Sequence, residues 1–135
     1  MMDIDYFKTI NDTCRHIAGD GVLTEISSIL KSGMRKIDTA SRFGGEEFVV
    51  ILPRTVKEKS LTAAERIRHA VEQHTFEGFC GKVTVSCGIA GMPDAQADSE
   101  EKLIGCADFA LYRAKQLGRN RTIAAEVCEL AYREA

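Results

Sequence analysis

The sequence predicts an α/β (α+β) sandwich, with helices packed around a mixed central β-sheet that contains one antiparallel hairpin. Three observations predict it. Short strand-like segments alternate with longer segments of helical period. Two of the strand segments flank Gly44-Gly45-Glu46-Glu47, a double-glycine turn of the kind that closes hairpins. No internal repeat, low-complexity tract or Pro/Gly-rich linker interrupts the 135 residues, which therefore read as one unit of ordinary domain size.

Each element has its own signal. Met1-Met2-Asp3-Ile4 reads as the end of a strand. From Gly19 to about Met34, the residues Val22, Leu23, Ile26, Ile29 and Leu30 recur at helical spacing, and Asp20 just before them can cap that helix. Thr39–Phe43 and Phe48–Leu52 are the hairpin strands. Their turn is expected to use the positive φ that glycine tolerates, and Pro53 stops the second strand. Thr55 with Glu58 resembles a capping box. The helix it opens runs to about Gln73 and buries Leu61, Ala64, Ile67 and Val71. Lys82–Ala90 alternates like a strand with one solvated face. Ser99 opens a helix carrying Leu103, Ile104, Ala107, Leu111 and Ala114, and Gly118 closes it. Thr122–Ala124 is a short strand that ends the domain, 1–124. Residues 125–135 are read as a polar-faced helical tail.

Composition narrows the partners. A formal net charge of -2 argues against a nucleic-acid polymer and against an anionic membrane surface. There is no signal peptide and no apolar run near the roughly 18 residues that a span requires, so a cytoplasmic protein is expected. The five cysteines are odd in number and lack metal-ligand spacing, which suits a reducing compartment. They are expected to be inert, with Cys87 a small core residue.

Two acidic positions stand at strand ends. Asp3 closes the first strand and Glu46-Glu47 sit in the turn; if those strands are neighbours, the carboxylates converge on one sheet edge. Carboxylate and carbonyl oxygens are the ligands that Mg²⁺ prefers, and converging carboxylates repel unless a cation lies between them. Acidic residues in a turn can equally be a solvated hairpin, and the motif by itself leaves both readings open.

Asp3-Ile4-Asp5-Tyr6-Phe7-Lys8, Asn11-Asp12, His16, Gly19-Asp20 and Arg42-Phe43-Gly44-Gly45-Glu46-Glu47-Phe48 together resemble the GGDEF domain family of diguanylate cyclases. Val83-Thr84-Val85-Ser86 with Gly88, and the segment from Ala107-Asp108 through Ala114-Lys115 to Gly118-Arg119-Asn120, continue the resemblance in the right order over nearly the whole chain. The turn reads GGEEF, a variant of the family signature. The resemblance implies a fold similar to nucleotide cyclases and the polymerase palm, and condensation of two GTP molecules into cyclic di-GMP. It also implies a divalent cofactor, Mg²⁺ or Mn²⁺, held by Asp3, the Ile4 carbonyl and Glu46. Glu46 or Glu47 is implied as the catalytic base. Tyr6, Phe7, Lys8, Lys115 and Arg119 are implied at the phosphates, Gly44 and Gly45 at the nucleotide, Asn11 and Asp20 at the guanine edge, and His16 at a further substrate position. A second copy of the domain, in a two-fold arrangement, is the implied partner.

Simpler roles exist for several of these residues. Lys115 and Arg119 suit a helix C-terminus, Tyr6 and Phe7 suit a core, and an isolated His16 suits a surface or loop. Arg35-Lys36-Ile37-Asp38 resembles the family's inhibitory R-x-x-D site for product, with Arg66 or Arg68 as a further member; otherwise it is a helix-end arginine paired with an acid. The sequence departs from the family at the front: the usual upstream helix and longer first strand do not precede Asp3. GTP turnover is therefore expected to be weaker than in a chain extended upstream. Cys14 stands where an aromatic residue is common. A catalytically weak domain that binds GTP or cyclic di-GMP is the competing reading.

Overall fold

The computed structural model describes residues 1–126, apart from the side chains of residues 14–17. His16, Cys14 and the expected helix in the tail thus fall outside the described residues. The described elements are β1 (Met2–Ile4), α1 (Phe7–Gly33), β2 (Thr39–Arg42), β3 (Glu47–Ile51), α2 (Lys57–Gln73), β4 (Val85–Ile89), α3 (Glu100–Gln116) and β5 (Thr122–Ala124). The five strands form one sheet in the order β2-β3-β1-β4-β5. All neighbours are antiparallel except β4 and β5, so the sheet is mixed, as predicted.

Alternation along the strands sorts the two faces. Met2, Ile4, Phe48, Val85 and Cys87 join Val22, Ile26 and Leu30 of α1 and Ile67 and Val71 of α2 in one buried core. The opposite face of β4 receives α3: a Cβ on Gly88 would lie 2.1 Å from the Ala107 carbonyl oxygen and 2.2 Å from the Leu111 nitrogen. The expectation of a solvated face on this strand is therefore corrected. Helices cover both sides of β4, and none of its residues is exposed. Cys87 shares this burial, which pushes its thiol up to about 12 and leaves it inert. Cys106, in contrast, is disulfide-bonded, so the expectation of five inert thiols fails there.

Three further expectations are corrected. The first helix begins at Phe7 rather than after Gly19, so Asp20 lies inside it and caps nothing. Thr55 does not cap α2, whose N-cap is Val56; its hydroxyl instead donates to the Pro53 carbonyl and accepts from Arg35. Leu61 is exposed rather than buried, because the buried stripe of α2 runs through Ser60, Ile67 and Val71. Ser99 does cap α3, accepting from the Lys102 N–H at 3.2 Å, and Gly118 follows the helix at φ 111°.

Candidate functional site

β1, the central strand, sets Asp3 beside the end of the hairpin turn. Its carboxylate is buried and accepts from Lys115 Nζ at 2.9 Å, across from the end of α3. Burial pushes the Asp3 carboxyl above its ordinary value. The Lys115 ammonium opposes that shift, and the charges of Glu47 and Asp5 add to it. The register sets Asp3 opposite Glu47, and paired residues of an antiparallel ladder project on the same face. Glu46 meets the strand through its backbone: its carbonyl accepts the Ile4 N–H at 3.2 Å. Both acidic turn residues therefore border the end of β1, with Glu47 facing the aspartate.

The turn is held differently from the sequence expectation. Neither Gly44 nor Gly45 takes a positive φ. The loop is longer than a two-residue hairpin turn, and Arg42 clamps it, donating to the Gly44 carbonyl at 3.1 Å and the Gly45 carbonyl at 2.7 Å. The glycines matter for space instead. A Cβ on Gly44 would approach Glu47 Oε2 to 3.0 Å, while Gly45 opens onto free volume where another molecule can reach the backbone.

The chain leaves β1 through Tyr6, which takes the left-handed conformation at φ 55° and leads into α1. No side chain caps that helix and no acidic residue sits in its first turn, so the amide groups there remain available to an anion. Arg119 lies over the exposed Tyr6 ring, 4.5 Å from its centroid, and donates to its hydroxyl at 3.3 Å. Lys8 is exposed in the same first turn, whereas Phe7 is buried in the core.

The helical run of α1 bends. Gly19 packs against the Asn11 side chain and the Phe7 ring, eight and twelve residues earlier. A straight helix would hold them about 12 and 18 Å apart. The bend sets the Asn11 amide beside Gly19 and the adjoining Asp20.

Asp3, Glu46, Glu47, Tyr6, Lys115 and Arg119 thus border one edge, while Asn11 lies against Gly19, the residue before Asp20. Arg35 and Asp38 sit elsewhere, beyond the far end of β2, one strand length of about 13 Å from the turn. Their side chains form a forked ion pair with Nη2–Oδ1 at 2.7 Å, and Arg35 also donates to Thr55 and to the Pro53 carbonyl. The guanidinium holds the Asp38 carboxyl below its usual range. Arg66 reaches this corner, donating to the Gly33 carbonyl at 2.7 Å, whereas Arg68 is committed to Glu65, Glu72 and Asn120.

Sequence reasoning assigned no role to Arg42 or Asp5. A guanidinium two residues before a double glycine was a signal for the clamp. Asp5 gave none, since nothing local shows that it is buried.

The residue types at this edge suit a hard divalent cation: the buried Asp3 carboxylate, the acidic turn residue Glu46 bordering the end of β1, and a strand end with carbonyl oxygens. Among the described residues no group of three or more His, Cys, Asp or Glu side chains is arranged for a metal. Two carboxylates and a carbonyl, completed by phosphate oxygens, are a different arrangement.

Carboxylates for a cation set beside amides and basic groups for phosphates suit the class of nucleotidyl cyclases. The family model for "Diguanylate cyclase, GGDEF domain" matches residues 1–121, and the chain belongs to that family. Diguanylate cyclase A of Treponema denticola is 46% identical over 123 residues, covering 90% of this chain and 33% of the relative. Response regulator PleD of Caulobacter vibrioides is 43% identical over 127 residues, covering 91% of this chain and 28% of the relative. The chain thus spans a third or less of their lengths. Among solved structures, the GGDEF domain of DgcB from Caulobacter crescentus in complex with c-di-GMP superposes with a TM-score of 0.85 at 37% identity, over 93% of this chain and 75% of that one. The active GGEEF domain of a diguanylate cyclase from Vibrio cholerae gives 0.86 at 32% identity, over 92% and 79%. The mixed sheet with its surrounding helices is therefore the GGDEF-domain fold. No helix among the described residues is long and apolar enough to cross a membrane.

Proposed function

We propose that this domain condenses two GTP molecules into cyclic di-GMP. The observation that carries the reading is the single edge where buried Asp3 faces Glu47 across the ladder and meets Lys115, with the uncapped start of α1 and Arg119 alongside. Asp3, the Ile4 carbonyl and Glu46 would hold Mg²⁺ or Mn²⁺, which supplies charge neutralisation at the triphosphate when bound. Lys115, Arg119, Lys8 and the amides at Tyr6 and Phe7 hold the phosphates. Asn11 and Asp20 accept hydrogen bonds from guanine N1–H and N2–H₂, groups that adenine does not present in that pattern. The 3′-hydroxyl of one nucleotide attacks the α-phosphorus of the other. Its proton passes to Glu46 or Glu47, the new P–O bond forms, and pyrophosphate leaves with the electrons of the broken bond. Two such bonds close the product ring, so a second copy of the domain must face the first in a two-fold arrangement.

Incubation with GTP and Mg²⁺ or Mn²⁺, followed by separation of nucleotides, tests this. Cyclic di-GMP and pyrophosphate should appear, ATP should give nothing, and Asp3→Asn should abolish the product. Product formation by Asp3→Asn would refute the assignment.

The second reading, a binding module for the product, is favoured by one observation: the Arg35–Asp38 fork is already formed, with Arg66 beside it. Arg35 can exchange Asp38 for phosphate or guanine acceptors, in the manner of an R-x-x-D brake. Titration with cyclic di-GMP should show binding that Arg35→Ala removes. In an active enzyme the same variant should lose product inhibition and keep turnover.

A further inference from the structure

Asp5 is a buried carboxylate two residues beyond Asp3, at 4% exposure. Burying a carboxylate beside another acid is costly unless donors surround it. Three do. Ser86 Oγ donates to Oδ1 at 2.7 Å, Thr84 Oγ1 donates to Oδ2 at 2.8 Å, and the backbone N–H of Asn120 donates to Oδ2 at 3.0 Å. The first ties Asp5 to β4 and the second to the residue just before it. The third reaches 115 residues along the chain, to the turn that follows α3.

That turn is conformationally costly. Gly118, Arg119 and Asn120 all have positive φ, at 111°, 62° and 44°. Glycine accepts this without penalty, but a non-glycine residue there costs on the order of 1–3 kcal/mol and persists only when its surroundings hold it. The Asn120 N–H is held by Asp5, and the Asn120 side-chain oxygen accepts from Arg68 at 2.8 Å. The same run directs Arg119 back across the Tyr6 ring at the head of α1. A released turn could relax to ordinary φ values and carry Arg119 away from that edge.

We propose that Asp5 is a positioning residue. Through the Asn120 N–H it locks the 118–120 turn, and so sets the Arg119 guanidinium where a nucleoside triphosphate is to be gripped. The proposal rests on the reading of Arg119 as a phosphate-side group.

The chemistry of the acceptor makes it testable. Thr84 and Ser86 are hydroxyls and can turn to accept, but a backbone N–H can only donate. Asp5→Asn can therefore keep its oxygen on Asn120 and turn its NH₂ toward the Ser86 hydroxyl. Asp5→Ala leaves the Asn120 backbone N–H without a partner. The probe is GTP with a methylene in place of the α,β-bridging oxygen, which binds without releasing pyrophosphate. Arg119→Ala should weaken its binding by about tenfold, the scale of one charge-assisted hydrogen bond. Asp5→Ala should weaken it by a similar factor, and the double variant should be no weaker than Arg119→Ala alone. Asp5→Asn should bind like wild type. Thr84→Val, which removes a bond to Asp5 without touching Asn120, should lower thermal stability and leave affinity intact.

Losses that multiply in the double variant, or undiminished affinity in a folded Asp5→Ala, would overturn the proposal. A readout without nucleotide separates it from the function itself. Asn120 amide protons should exchange slowly in wild type and Asp5→Asn and quickly in Asp5→Ala; equal protection in all three sinks the positioning role, whatever the ligand. Should Asp5→Ala not fold, Asp5→Glu, which keeps the charge but moves the oxygens by one methylene, serves in the same cycle. If wild type fails to bind the probe while exchange behaves as expected, the phosphate reading fails and the lock stands.

Discussion

A side chain at Gly19 would displace the Asn11 amide. A Cβ there would fall 1.8 Å from Asn11 Oδ1 and 3.3 Å from the Phe7 ring. The Asn11 amide is the end of a rotatable side chain, so it can swing away, whereas the Phe7 ring is fixed in the core. The cost of Gly19→Ala therefore falls on Asn11. The variant should fold with a loss of about 1 kcal/mol or less, because alanine also favours the helix. On the proposed reading of Asn11 at the guanine edge, the KM for GTP should rise severalfold and the preference for GTP over ATP should fall. Steady-state kinetics with both nucleotides check this; unchanged discrimination would remove Asn11 from recognition. The same logic runs through Arg42 and Asp5, whose worth lies in what they hold in place rather than in what they would touch.

At the scale of elements, Gly88 decides how closely α3 approaches the sheet. The atoms that an added Cβ would meet are backbone, the Ala107 carbonyl oxygen at 2.1 Å and the Leu111 nitrogen at 2.2 Å, and neither can rotate aside. Gly88→Ala must push α3 off β4, which carries Lys115 away from Asp3. A destabilisation of about 3 kcal/mol is expected, at the upper end for overpacking. Gly91→Ala, with nothing within 4 Å of its Cβ, should be close to neutral. Urea unfolding of the two variants measures the contrast, and equal midpoints would refute the close approach. The elements themselves were legible because their signals are local. The period of α3, its Ser99 cap and the Gly118 stop lie side by side in the chain, and each fell within a residue or two of its expected place. Long-range facts were not legible. The Lys82–Ala90 alternation gave no hint that α3 covers the second face of β4. Thr55 looked like a cap because the sequence does not show Arg35 arriving from twenty residues away. The α1 start at Phe7 was missed because the polar run Asn11-Asp12-Thr13 and the glycines at 19 and 21 weaken the helical signal before Val22. For the site, the acidic turn and β1 were readable as strand ends, but the pairing of Asp3 with Glu47 depends on a register that only the assembled sheet sets.

At the scale of the whole molecule, charge sets a condition for stability, and assembly sets one for the proposed reaction. Arg68 joins α2 to the turn after α3, donating to Glu65, Glu72 and Asn120. It holds both glutamates below their ordinary value. A carboxyl depressed in the folded state contributes stability above its unfolded value, near 4.5, and loses that contribution as pH falls through the lower folded value. Arg68→Met should therefore destabilise the domain near neutral pH and matter progressively less below about pH 4; unfolding midpoints for the two proteins that stay equally far apart down to about pH 3 would contradict this. Assembly sets the second condition. In the proposed reaction each of the two phosphodiester bonds of cyclic di-GMP joins a nucleotide on one domain to a nucleotide on the other, so a single loaded domain would not finish the ring. If two copies associate weakly, the active species grows with the square of protein concentration, and turnover per domain rises in proportion to concentration. Once the dimer saturates, turnover per domain becomes constant. Initial rates over a hundredfold dilution, at saturating GTP, should therefore trace a slope near two on logarithmic axes, bending toward one at the top. A slope of one throughout, in a protein that sediments as a monomer, would mean that one copy closes both bonds, and the face-to-face arrangement would have to be abandoned.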